Sequence, residues 1–140
     1  MTRRILVPVD DSPRARDALE FVLSEHAGDD IVLLHVLDPI TAIYVSEPSV
    51  WDDEMIDRRR ERAAELLEEL RGEAERADGT VTTVIEHGDP SRVIVESARE
   101  NEIDQIVIGS HGRSGVSRVL LGSVAETVAR RSPVPVTIVR

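Results

Sequence analysis

Residues 104–140 read DQIVIGSHGRSGVSRVLLGSVAETVARRSPVPVTIVR. The order of chemistry in this stretch decides the fold. Residues 104–108, DQIVI, form a short run rich in β-branched side chains, which reads as a buried strand. A Gly/Ser loop follows, then a short helix from about Val124 to Arg131. Pro133 and Pro135 bracket the exit into residues 136–140, VTIVR, a final strand. A strand, a helix and a second strand in this order make a βαβ unit, whose strands lie parallel.

The same alternation runs back to the start of the chain. Residues 4–9, RILVPV, read as a buried strand. Ser12-Pro13 offers an N-cap with proline at the first helical position. Ala15, Ala18, Leu19, Val22 and Leu23 follow at helical spacing until Gly28 stops the helix. Residues 31–37, IVLLHVL, are a second strand, and residues 38–51 have no clear period. Residues 52–77 form a long amphipathic helix with Ile56, Ala63, Leu67, Leu70, Ala74 and Ala77 on one stripe. The Glu/Arg surface around that stripe reads as a solvated face with i,i+4 pairs. Asp78-Gly79 turns into a third strand at 80–86, and Asp89-Pro90 caps a helix through about Glu100. Five strands alternating with four helices predict a single α/β domain over residues 1–140, its parallel sheet covered on both faces. In such folds ligands bind outside the carboxyl ends of the strands, where the strand order reverses.

Composition narrows the partners. The 140 residues carry 27 Asp+Glu against 17 Lys+Arg, a formal charge of 17 − 27 = −10. Every one of the 17 basic residues is Arg, and Cys is absent. Excess negative charge argues against nucleic acid or an anionic membrane surface as the main partner. Without Lys there is no Schiff base and no P-loop lysine; without Cys there is no thiol catalysis, disulfide or zinc-thiolate site. No run approaches the ~20 apolar residues of a membrane helix, and the N-terminal apolar stretch is too short for a signal peptide. A soluble, cytoplasmic protein is expected.

The segment 109–124, GSHGRSGVSRVLLGSV, carries the chemistry: Gly109-x2-Gly112-x9-Gly122-Ser123, with a strand before it and a helix after it. Glycines let the backbone approach a ligand and supply free amides. A helix starting at Gly122-Ser123-Val124 adds orphan N–H groups and the positive end of a dipole, a site suited to phosphate. Arg113 and Arg118 are available cations. The spacing is neither a Walker A nor a Rossmann fingerprint. Two readings stay open on spacing alone: a phosphate cradle, or a loop shaped by Gly109 and Gly112 followed by a Ser123-x-x-Glu126 capping box.

Taken together, ILVPVDDS at the start, LLHV in the second strand, HGDP before the third helix and GSHGRSG…LLGSVAETVARRSPVPVTIV at the end resemble a single-domain universal stress protein. The likeness covers nearly the whole chain, with residues 38–60 the divergent part. It implies a five-stranded parallel sheet of order 3-2-1-4-5 with two helices on each face, of the adenine nucleotide alpha hydrolase-like kind. It also implies a homodimer joined through residues 135–140. The intact G-x2-G-x9-G-S pattern is that of the ATP-binding subclass. Carried over by position, the resemblance puts Pro8, Val9 and Asp10 at the end of the first strand, with Asp10 on the ribose and Val9 near adenine. Val36 would bond adenine through its backbone. Gly109 and Gly112 would lie under the ribose and phosphates, Ile108 counts with the same site, and Arg113 stands where the family often has a basic residue. His111, in the phosphate loop, is a candidate contact to ligand or a divalent ion. Gly122, Ser123 and Val124 would hold phosphates through amides and the Ser hydroxyl.

Each has a plainer alternative: Asp10 as the cap of its own turn, Val36 as core. His35 reads as a hydrogen-bonded core residue, and His26 and His87 as surface or turn residues. The 38–51 loop holds Ile43, Tyr44, Val45 and Trp51, either a lid or dimer contact or a satellite cluster. A receiver-domain reading of Asp10-Asp11 fails, since the third strand ends in Glu86-His87-Gly88 and the required Lys does not exist.

Three functions remain to be weighed. The resemblance favours a nucleotide-dependent stress-response sensor or regulator that binds ATP, with Mg2+ bridging the phosphates because little protein charge faces them. The sequence shows no local signature of the base and γ-phosphate clamp that hydrolysis needs. A fast enzyme is therefore not expected, with slow hydrolysis or autophosphorylation left open. The alternatives are a dimeric interaction module that does not use nucleotide, and a small phosphotransfer or hydrolase enzyme. The acid-rich, Lys-free composition further suggests a salt-adapted cytoplasm, although Arg-favouring codon usage explains missing Lys as well. At about 1 M salt the screening length is roughly 3 Å, so self-repulsion fades. Stability measured by denaturant unfolding is expected to rise as KCl approaches molar levels; a fold indifferent to molar salt would count against salt adaptation.

Overall fold

The computed structural model describes residues 2–10, 12–38, 53–75, 79–110 and 122–140. Nine elements follow in order: β1 (Arg4–Pro8), α1 (Pro13–Glu25), β2 (Asp30–Leu37), α2 (Asp53–Ala74), β3 (Val81–His87), α3 (Pro90–Glu100), β4 (Gln105–Gly109), α4 (Ser123–Arg131) and β5 (Val136–Val139). The strands form one parallel sheet of order β3-β2-β1-β4-β5. Register is set at the centre, where Leu6 lies between Val32 of β2 and Ile106 of β4.

The continuous apolar strands are explained by the two covered faces. Successive side chains of a strand point to opposite sides. Ile5, Val7, Ile31, Leu33 and Val107 therefore pack with Ala18, Leu19 and Val22 of α1 and Leu67 and Leu70 of α2. Leu6, Val32, Leu34, Ile106 and Ile108 face the other way, against Val93, Ile94 and Ala98 of α3 and Ala125 and Val128 of α4. Two helices lie on each face, as the resemblance implies.

Local signals act where expected, with some corrections. Gly28 ends the turn after α1 with φ +89°, a conformation that favours glycine. Helix α2 is described from Asp53, and its regular helix stops at Ala74, short of the end at residue 77 that the periodicity suggests. Ala63, Leu67, Leu70 and Ala74 of its stripe are buried, but Ile56 is 41 % exposed. Residues 39–52, which precede it, and Ala77 lie outside the described residues, as do Asp11, Asp78 and 111–121. The Glu/Arg surface of α2 is also not purely self-paired. Arg16 of α1 reaches across to Glu69 at 2.8 Å and to Glu73, tying the two helices on one face. At the sheet edge, Asp30 Oδ1 accepts the Thr80 hydroxyl at 2.7 Å and the Thr80 amide at 3.2 Å. The hydroxyl bond, then the amide bond, hold the Asp30 carboxyl below its usual pKa.

Two capping expectations change. Ser12 occupies the N-cap position of α1, yet its side chain makes no cap hydrogen bond. The Ser123-x-x-Glu126 box does not form, because Gly122 is the N-cap and Ser123 is already helical. Glu126 instead pairs with Arg130 one turn on, at 2.8 Å. Asp89, by contrast, caps α3 as read, accepting the Arg92 amide at 3.1 Å.

Candidate functional site

The strand order reverses between β1 and β4, and α1 packs on one face of the sheet while α4 packs on the other. A cleft of about 390 Å³ opens there, within the range of small-molecule sites. Its strand-end walls are mostly apolar: Pro8, Val9, Leu34, Val36 and Ile108. Its helix-start walls are Ser12 before α1, Arg14 and Ala15 of α1, Pro90 of α3, and Gly122 to Ala125 at α4. Asp10, Ile94, Gly109 and Ser110 complete it.

Hydrogen bonds fix the backbone around this cleft. The Val9 amide donates to the Leu34 carbonyl at 2.8 Å, carrying the β1–β2 pairing past Pro8. His35 Nδ1 bonds the Val9 carbonyl at 2.9 Å, so the proton sits on Nδ1 and the ring holds the floor in place. His35 is thus the hydrogen-bonded residue the sequence suggested. Asp10 Oδ1 accepts the Ser12 amide at 2.9 Å, which is the plainer capping role for one of its two oxygens. The Ser110 amide donates to Val139 at 2.9 Å, and the Ser110 carbonyl accepts from Gly122. The exit of β4 is therefore tied both to β5 and to the start of α4.

The start of α4 is the electrostatic feature. The first N–H groups of a helix have no partner within it. Gly122 has no side chain to serve them, and no side-chain cap bond is made. Gly122 spends its own amide on Ser110, so the amides offered to the cleft begin at Ser123. With the helix dipole they favour an anion. The charged side chains among the described lining residues are Asp10 and Arg14. No group of three or more metal-ligating side chains occurs among the described residues.

Of the residues singled out from sequence, Pro8, Val9, Asp10, Val36, Ile108, Gly109, Gly122, Ser123 and Val124 line this one cleft. His111, Gly112 and Arg113 lie outside the described residues. His87 is exposed at the end of β3, and His26 packs at the turn after α1, where Nδ1 lies 3.2 Å from Asp29. Of the lining residues that the sequence reading did not assign to the site, Ser12, Arg14, Pro90 and Ser110 bear on its chemistry or shape; Ala15, Leu34, Ile94 and Ala125 add apolar wall. The first four sit within a few residues of a strand's carboxyl end, so the general rule for such sheets pointed to them.

A match to the model of the universal stress protein family spans residues 1–140. The chain belongs to this family. It is 30% identical to universal stress protein MJ0577 of Methanocaldococcus jannaschii over 155 residues, covering 100% of this chain and 96% of that one. The solved structure of MJ0577 superposes with a TM-score of 0.86 at 33% identity, covering 99% and 96% of the two chains. Universal stress protein YxiE of Bacillus subtilis is 30% identical over 149 residues, with both chains fully covered. A universal stress protein solved in complex with cAMP shares the fold at a TM-score of 0.70 and 23% identity, covering 99% of this chain and 97% of that one.

One glycine of the G-x2-G-x9-G-S spacing has a reason independent of any ligand. A Cβ on Gly109 would come within 2.8 Å of both the Arg14 carbonyl oxygen and the Arg14 Cβ. Backbone cannot step aside as a flexible side chain would. Gly109→Ala is expected to lower the stability of the ligand-free protein by about 1–3 kcal/mol in denaturant unfolding, the usual cost of overpacking. Unchanged stability would mean that α1 does not lie against β4 as described.

Proposed function

We propose that this universal stress protein binds an adenine nucleotide, ATP in the first instance, in the cleft between β1 and β4. It would act as a nucleotide-dependent regulator in stress response rather than as a fast enzyme. The observation that carries the reading is the start of α4, where the N-cap is a glycine with no side chain to serve the first amides and where Ser123 and Val124 line a cleft with an apolar floor. The apolar strand ends suit a base, Asp10 suits a ribose hydroxyl through its carboxylate, and the Ser123 and Val124 amides suit phosphate. The G-x2-G-x9-G-S pattern agrees, and a protein of this fold is solved with cAMP.

The donor set fits ATP without Lys. A divalent ion would ride on the phosphates, since the described residues supply no cage for it. Among the described lining residues the charged side chains are Asp10 and Arg14, and the sequence carries no local signature of the base and γ-phosphate clamp that rapid hydrolysis needs.

Calorimetric titration with MgATP in high KCl is expected to show saturable one-site binding. Asp10→Ala and Gly122→Val are each expected to weaken it about tenfold or more, the first by removing a charged hydrogen-bond acceptor and the second by filling the space before the amides. No saturation with an intact fold would overturn the proposal; unchanged affinity in both variants would overturn the site.

The same reading includes a homodimer through β5. This is the outermost strand, and its residues Val136, Thr137, Ile138 and Val139 are all only half-buried. Pairing with a second copy would cover an apolar edge. Sedimentation equilibrium is expected to give twice the 15.5 kDa chain mass, and a monomer at micromolar concentration would contradict the dimer.

A further inference from the structure

Helices α1 and α3 open with the same grammar, a small polar residue followed by proline at the first helical position. In α3 the cap closes: Asp89 accepts the Arg92 amide and also the Ser91 hydroxyl, at 3.1 and 2.8 Å. In α1 it does not. Ser12 has the extended backbone of a cap, φ −83° and ψ 156°, but its hydroxyl makes no bond to its helix.

That hydroxyl is also buried. Ser12 is 7 % exposed, and its Oγ has no hydrogen-bond partner. Buried polar groups are nearly always bonded, because leaving one unpaired forfeits its hydration with no return. Among the described residues one other buried side-chain atom shares this state, Arg4 Nε, and Arg4 is not part of the cleft. Ser12 is part of it. Its amide is held by Asp10 Oδ1, so the residue is fixed in place while its hydroxyl is left over.

We propose that Ser12 Oγ is a ligand donor, bonding an anionic oxygen of the phosphate chain and making the start of α1 a second arm of the phosphate cradle. This rests on the nucleotide reading and adds a residue to it. Two contacts bring the starts of α1 and α4 to the same short stretch: Arg14 lies against Gly109, and Gly122 bonds Ser110. The first turn of α1 presents positive dipole there, and Arg14 also lines the cleft. A hydroxyl donor in that position suits an anion better than a base edge or a ribose.

The test compares wild type, Ser12→Ala, Ser12→Gly and Ser12→Thr by thermal melting without ligand and by titration with MgATP and with adenosine. Removing an unpartnered buried hydroxyl is expected to leave the ligand-free melting temperature of Ser12→Ala unchanged or raised. Its MgATP affinity is expected to fall about tenfold, as for a lost bond to a charged group, with adenosine affinity unchanged. Ser12→Gly should show the same loss, and Ser12→Thr should retain binding. A lowered melting temperature with MgATP affinity intact would make Ser12 a structural cap and overturn the proposal. Equal losses for adenosine and MgATP would overturn the phosphate contact. Wild type that binds MgATP no better than Ser12→Ala sinks this inference alone, whereas wild type that binds no MgATP removes the nucleotide reading and this one with it.

Discussion

The close approach of α1 to β4 at Gly109 governs the shape of the site. The first turn of α1 crosses from the end of β1 to lie on the neighbouring strand, and only a residue without Cβ leaves room for the Arg14 backbone. That contact brings one helix start to the exit of β4, while the Ser110 carbonyl holds the other through Gly122. The reversal of strand order supplies the gap, and these two contacts decide what borders it. The cleft therefore combines an apolar floor of strand ends with helix starts at its rim. His35 adds stiffness from below by bonding the Val9 carbonyl.

Electrostatics at this site run opposite to the chain as a whole. The protein carries a formal −10, yet the charged side chains among the described lining residues are one acid and one base, Asp10 and Arg14. An anionic ligand is favoured by dipoles and amides rather than by net charge. Amides suit an acid-rich protein without Lys, because their partial charges do not depend on titration or on a flexible side chain. The acids gather elsewhere, notably on α2, where Glu69 and Glu73 meet Arg16 across two helices.

Much of this was legible in the sequence because its signals are local. Continuous runs such as ILV at residues 5–7 and IVLL at 31–34 are short and rich in β-branched side chains, as strands covered on both faces are, and their alternation with helical periods points to a parallel sheet. The glycine spacing located the exit of β4 and the start of α4. What was less legible depends on which of two partners a group selects in space. Ser12-Pro13 and Asp89-Pro90 look alike, but only Asp89 closes on its helix. Ser123-x-x-Glu126 matches a capping box, but the Gly122–Ser110 bond shifts the helix start by one residue and hands Glu126 to Arg130. Arg14 joins the site through a tertiary contact with Gly109, and helical periodicity carries no trace of it. Ile56 keeps the stripe's period, yet it stays exposed near the start of α2 while the later stripe residues pack on the sheet.

The universal stress protein family contains this chain, and the ligand is the question its cleft poses. The most direct measurement is a titration of 15N-labelled protein with MgATP, following backbone amide shifts. Nucleotide binding at the proposed cradle predicts saturable shifts at Ser123 and Val124 together with Val9, Asp10 and Val36. Amides at those positions that stay unmoved at saturating MgATP, or shifts confined to another face of the sheet, would contradict it.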